Sequence, residues 1–258
     1  MIIRKTNNTF VMTEQHYHAH ISAEIVNHWV DHFLNGDPQI DSVLYAIKNH
    51  DLGWDLFDKQ PFWNELTNAP YSFIDFPILP KIALYTYGVD LVEKNDPYAA
   101  ALCSAHYVKF MQNHSNPEVN DYLINEKKRQ QRILMDFPAI TADIFDMHLA
   151  ILQFADNISL YLCLNEPGLI KSETHYFFQK GIPISPKINQ RTTPYIEVEW
   201  LDQQTLRLKG LPSVQNFSVS LKQKKVTRQQ IEKDGLIKSY QTRPYENYKI
   251  NCIISTHE

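Results

Sequence analysis

The side chains in this 258-residue sequence that could do chemistry by converging are imidazoles and carboxylates, above all His18, the His50-Asp51 dipeptide and Asp156. Each falls on the apolar stripe, or at the inward end, of a separate stretch with helical periodicity. Imidazole nitrogens and carboxylate oxygens brought together from different helices form a hard-to-borderline donor set. Such a set suits manganese, iron or zinc and leaves coordination positions for a water and a substrate oxygen. A buried aspartate also needs a reason, since an unpaired ionised carboxylate in a core is costly and a cation supplies the compensating charge.

The elements that must position these groups can be read from periodicity. After Thr13, a plausible N-cap, residues His18, Ser22, Ile25 and Trp29 recur at i, i+4, i+7 and i+11 until Asn35-Gly36 ends the pattern. That stripe selects His18 among its neighbours. His16 and His20 are rotated from it by about 200°, and His28 and His32 sit near the helix end, where an imidazolium suits the dipole. Asp37-Pro38 reads as an N-cap followed by proline at N1, and Ile40, Val43, Leu44 and Ile47 carry the inward face on toward Gly53. His50 and Asp51 then lie at the buried C-terminal end of that helix.

Residues 81–92 resume a helical pattern. Asp96-Pro97 repeats the start signal, with Ala99, Leu102, Cys103, His106 and Phe110 facing inward. His106 is either a core histidine bonded to a carbonyl or a group that serves the site, as a base or as a ligand to a second cation. Asn116-Pro117 opens a further helix, whose run from Glu126 to Arg132 reads as a solvated face of mixed charge. In the last long helix, Phe145, Leu149, Leu152 and Asp156 share a stripe that ends near Asn165-Glu166-Pro167-Gly168.

Between Trp54 and Pro80 no period is sustained, which predicts a long aromatic loop. Its Trp54, Trp63 and Tyr71 could stack a base or sugar, or simply cover the open end of a bundle. Lys48 and Lys109 could neutralise phosphate charge, or be solvated. The first dozen residues suggest a hairpin around Asn7-Asn8, and alternation beyond residue 170, as in Tyr195 to Trp200, suggests further strands. The expected organisation is therefore mainly α: a helical metal-binding domain over 13–170, with residues 1–12 and 171–258 forming a small β appendage packed on it.

Composition narrows the class. With 43% hydrophobic and 21% charged residues, a net charge of −4 and a pI near 6.3, the chain is ordinary for a globular protein and gives no reason to expect nucleic acid. No signal-like start and no run of 18 apolar residues is present, so no membrane partner and a cytoplasmic address are expected. Cys103, Cys163 and Cys252 lack CxxC spacing and read as reduced, buried thiols.

The order His18, His50-Asp51, Asp156 resembles the H…HD…D ligand set of the HD superfamily of metal-dependent phosphohydrolases. More specifically, the chain is similar to the DUF3891 family through its opening MIIR, QHYHA from Gln15, HDLGW from His50, DPYAAALCSAHY from Asp96 and SLYLCLNEPG from Ser159. The HD resemblance implies a helical bundle, a divalent cation held by His18, His50, Asp51 and Asp156, and hydrolysis of phosphate esters. The expectation is a phosphohydrolase acting on a small phosphorylated metabolite or nucleotide, with Asp51 and His106 in the catalytic machinery. A di-iron oxygenase of the HD type and a non-catalytic metal-binding or ligand-binding sensor are the alternatives. His114 and His148 do not supply an obvious second-metal pair, so one cation is expected, with a second left open along with homo-oligomerisation.

Overall fold

The computed structural model describes residues 1–29, 33–189, 193–211 and 215–255. His32, one of the histidines weighed above, lies outside them. The chain opens with β1 (Ile2–Lys5) and β2 (Thr9–Thr13), an antiparallel hairpin. The helices follow: α1 (Gln15–Asn27), α2 (Ile40–Asn49), the short α3 (Asp55–Asp58), α4 (Ile78–Glu93), α5 (Pro97–Met111), α6 (Pro117–Leu134) and α7 (Ala142–Leu164). A two-residue pair, β3 (Trp63–Asn64) and β4 (Ala69–Pro70), interrupts the aromatic loop.

After α7 the chain is mostly strand: β5 (Ile182–Pro183), β6 (Tyr195–Trp200), β7 (Thr205–Lys209), β8 (Phe217–Thr227) and β9 (Glu246–Ser255). Two short helices, α8 (Arg228–Asp234) and α9 (Leu236–Thr242), separate the last two strands. A capping box between Thr227 and Gln230 starts α8.

The sheet corrects the expectation of a mainly α fold with a small β appendage. Seven strands join in the order β1-β2-β8-β9-β7-β6-β5, antiparallel except for β7 with β9. They curl into a half-barrel, while about half of the chain is helical, so the class is α/β and not all-α. The reason lies in what covers the sheet. Toward the helices, β8 presents Phe217, Val219 and Leu221 to the main core beside Trp29 and Phe154 of the helical layer. On a second, smaller core, Val226 packs with Phe10, Met12, Leu236 and Tyr240. With cover on both sides, β8 buries even Lys224, whose ammonium lies over the rings of Tyr240 and Tyr245.

Two local details set the helices that matter most. Asp96 caps α5 by accepting from the Ala99 amide at 2.9 Å, with Pro97 at N1. Asp37, by contrast, does not cap α2. The helix begins two residues beyond Pro38, and Asp37 instead accepts from the Gln39 amide at 2.7 Å and sits 2.8 Å from His148 Nε2. The long α7 is apolar enough to cross a membrane by length and composition, but 83% of its apolar window is buried inside the protein.

Candidate metal centre

α1, α2, α5 and α7 bring five side chains to one buried place. His18 comes from the first turn of α1, His50 and Asp51 from the turn that ends α2, His106 from α5 and Asp156 from α7; none is more than 5% exposed. The turn is held by a close backbone approach. A Cβ on Gly53 would stand 2.2 Å from the carbonyl oxygen of Leu84 in α4, and one on Gly88 would stand 2.8 Å from the Gly53 amide nitrogen. Only two glycines let α4 press directly on the residues that follow Asp51.

The histidines are oriented from behind. His50 donates from Nδ1 to the Ile47 carbonyl at 2.7 Å, which fixes its tautomer and leaves Nε2 free. Nε2 is buried without a hydrogen-bond partner among the described residues, and lies 3.5 Å from Asp51 Oδ2 and 3.5 Å from Asp156 Oδ1. His18 Nδ1 lies 2.8 Å from Ser159 Oγ, which itself donates to the Asp156 carbonyl at 2.9 Å, while Nε2 faces Asp156 Oδ1 at 2.7 Å. Ser22 extends this chain, 2.7 Å from Ser159 Oγ. His106 Nε2 is 3.6 Å from Asp156 Oδ2, and its Nδ1 has no partner among the described residues. Tyr107 donates to Asp51 Oδ1 at 3.0 Å and also to the His50 carbonyl, with its ring stacked on Tyr85 at 3.8 Å.

Electrostatics follow from this burial. Burial alone would lower the His50 imidazole, yet the charges of Asp51 and Asp156 outweigh it and push the group up to about 9. Burial lowers His106 to about 3, with Asp156 opposing and the neighbouring His50 and His18 adding to the depression, so His106 is a neutral imidazole. Burial would raise the Asp156 carboxyl, but the hydrogen bond from His18 and the facing His50 hold it well below the ordinary carboxylate range. The two carboxylates thus favour positive charge between them.

The donor atoms form two overlapping groups, His18-His50-Asp51 and His50-His106-Asp156, each with its atoms within 4.8 Å of one another. They share His50, whose Nδ1 is committed to Ile47. One free nitrogen ligates one ion, so both groups describe a single locus, with up to five protein donors around it. Buried imidazoles and carboxylates fit a divalent cation there, and an orphaned Nε2 facing two carboxylates is a nitrogen suited to ligate one.

The other sequence-selected residues fall elsewhere. Trp54 is buried, with its ring edge-on to Phe76 at 5.2 Å and near Tyr85; Tyr71 packs on the same Phe76 at 5.7 Å. Trp63 meets Phe10 of the N-terminal hairpin at 6.0 Å, on the smaller core. Lys48 is exposed, and Lys109 reaches Gln153 on the surface at 3.0 Å. His16 and His20 are half-buried and lie against each other on the other side of α1, while His28 stacks on Phe217. His148 is held between Tyr98 and Asp37, apart from the cluster.

Sequence reading missed Tyr107 and the serines. Ser22 and Ser159 carried a usable signal, being small hydroxyls on otherwise apolar stripes, at i+4 from His18 and i+3 from Asp156. Tyr107 carried none, because a tyrosine beside an inward histidine reads as core.

The chain belongs to the DUF3891 family: the family model, described as a protein of unknown function, matches residues 1–228. That span covers all five clustered residues. No curated protein and no solved structure matches the chain.

Proposed function

We propose that this DUF3891 member is a metal-dependent phosphohydrolase acting on a small phosphorylated metabolite or nucleotide, with an HD-type ligand set of His18, His50, Asp51 and Asp156. The observation that carries the reading is His50 Nε2, buried, partnerless and 3.5 Å from carboxylate oxygens of both Asp51 and Asp156. A divalent cation bound by these groups supplies Lewis acidity, which lowers the pKa of a water and polarises a phosphoryl oxygen.

The remaining work falls to the chain. The Ile47 carbonyl and Ser159 fix the imidazole planes of His50 and His18, and Tyr107 fixes Asp51 through Oδ1, leaving Oδ2 toward both histidines. His106 stays neutral through burial and turns its Nε2, 3.6 Å from Asp156 Oδ2, toward the cluster, where that nitrogen would accept a hydrogen bond from the attacking water and align it. Phe110, 46% exposed and 4.6 Å from the His106 ring, stands between that histidine and solvent, which keeps bulk water from the reacting groups.

A panel of phosphomonoesters and nucleotides, assayed with protein loaded in turn with manganese, iron and zinc, tests the reading. Turnover in the wild type that disappears in Asp156→Asn and in His106→Gln supports it. A fully loaded protein that turns over nothing on the panel, while retaining one of its ligands tightly, favours a sensor and overturns it.

A further inference from the structure

Two of the sequence stretches that carry the family resemblance, MIIR and NEPG, have no part in the His/Asp cluster. The structure brings them together elsewhere. Arg4 of β1 and Glu166, just past the end of α7, pair at the mouth of a cavity of about 470 Å³. Gln223 and Lys225 of β8, Lys249 of β9 and Gln203 of the loop before β7 complete its chemistry. None of the cluster residues lines it.

The lining is unusual for a surface dimple. Arg4 is only 9% exposed, yet its Nε has no acceptor among the described residues. Gln223 is 3% exposed, and among the described residues its Oε1 has no donor. A guanidinium stays charged at any ordinary pH, so burying it with an unused N–H is costly unless something else accepts from it. Lys225 is partly spent on Tyr248 and Glu246, at 2.6 and 3.1 Å. Arg4, Lys225 and Lys249 against Glu166 and Glu246 leave an excess of one positive charge. Glu166 is itself 62% exposed on the short Asn165-to-Gly168 turn, so it is a carboxylate that an incoming anion can displace from Arg4.

We propose that this cavity is a second ligand site that binds a small hydroxylated anion of the sugar-phosphate class. The anionic group meets Arg4 and Lys249, and a ligand hydroxyl donates to Gln223 Oε1. The volume suits a ligand of that size. The primary amides of Gln203, Gln204, Asn247 and Asn251 around the wall match hydroxyls better than they match an apolar or aromatic group.

Calorimetric titration with ribose 5-phosphate, ribose and inorganic phosphate tests this, using wild type, Arg4→Gln, Lys249→Gln and, as the variant of the other site, Asp51→Asn. The expected result is saturable binding of ribose 5-phosphate, at least tenfold tighter than of ribose or phosphate. It should be kept in Asp51→Asn and weakened at least tenfold in Lys249→Gln, a surface change that leaves folding intact, as well as in Arg4→Gln. Binding lost in Asp51→Asn but unchanged in Lys249→Gln would place the ligand at the His/Asp cluster and overturn the proposal. No saturable binding by any of the three probes at millimolar concentration would overturn it too.

Discussion

His18 Nε2 stands 2.7 Å from Asp156 Oδ1, across 138 residues of sequence. The contact ties α1 to α7 inside the core and leaves the two other imidazoles of the cluster facing the same carboxylate. Removing that carboxylate strands three buried histidines together. Asp156→Ala should therefore lose its bound cation and about 3 kcal/mol of stability, the range for breaking a buried charged pair from one side. Urea denaturation measures this, and a variant as stable as wild type would show that the contact contributes nothing.

Tyr107→Phe keeps the ring stacked on Tyr85 and deletes only the hydroxyl that holds Asp51 and the His50 carbonyl. Metal affinity should fall by about 10- to 100-fold, as for other groups that orient a ligand from behind, while the far-ultraviolet spectrum is retained. Competition with a chromophoric chelator reads the change. Ser159→Ala should act in the same direction through His18 Nδ1.

Gly53→Ala puts a methyl 2.2 Å from the Leu84 carbonyl oxygen, a backbone atom that cannot swing aside. Either α4 or the turn carrying His50 and Asp51 has to shift. A loss of about 2 kcal/mol or more is expected, in the range for overpacking against backbone, together with weakened metal binding. An unchanged thermal midpoint would mean that the approach of α4 to the turn is not needed.

With the cation stripped by a chelator, stability should depend on pH through His50. Burial depresses its imidazole, but Asp51 and Asp156 prevail and raise it to about 9, above an unfolded value of about 6.5. The folded state then holds the proton more tightly than the unfolded one. The contribution is fully present below the unfolded value and is lost as pH rises through about 9. The midpoint of thermal unfolding of the stripped protein should fall across that window, and His50→Gln should flatten the fall. A fall that is equally steep in His50→Gln would assign it to another group.

Phe110 lies over His106 with nearly half of its own surface in solvent. Phe110→Ala should speed the exchange of bound metal with chelator several-fold without lowering equilibrium affinity. Stopped-flow chelation distinguishes the two, and an exchange rate equal to wild type would show that the cluster is reached by another route.

The cluster was easier to read from sequence than the fold around it, for physical reasons. Metal chemistry restricts residue type, so a histidine on the stripe of Ser22, Ile25 and Trp29, or an aspartate in line with Leu149 and Leu152, stands out against its neighbours. The supports do not stand out, because their partners are fixed only by the tertiary fold: Tyr107 serves Asp51 across 56 residues. The extent of the sheet was hidden in β8. Its Phe217-Val219-Leu221 alternation is plain, but the polar Gln223, Lys224 and Lys225 that follow break the apolar pattern. They remain in the strand because Lys224 is sheltered by the tyrosines of α9 and the chain after it, Tyr240 and Tyr245, and Lys225 by Tyr248. Asp37 misled for a related reason, since its cap signal was genuine but its carboxylate is taken by His148.

The most direct measurement is the metal content of purified protein beside that of His50→Ala and Asp51→Ala, both checked for folding by circular dichroism. One divalent cation per chain in the wild type, lost from both variants, is the expected result. Full metal content in both folded variants would contradict the assignment of His50 and Asp51 as ligands.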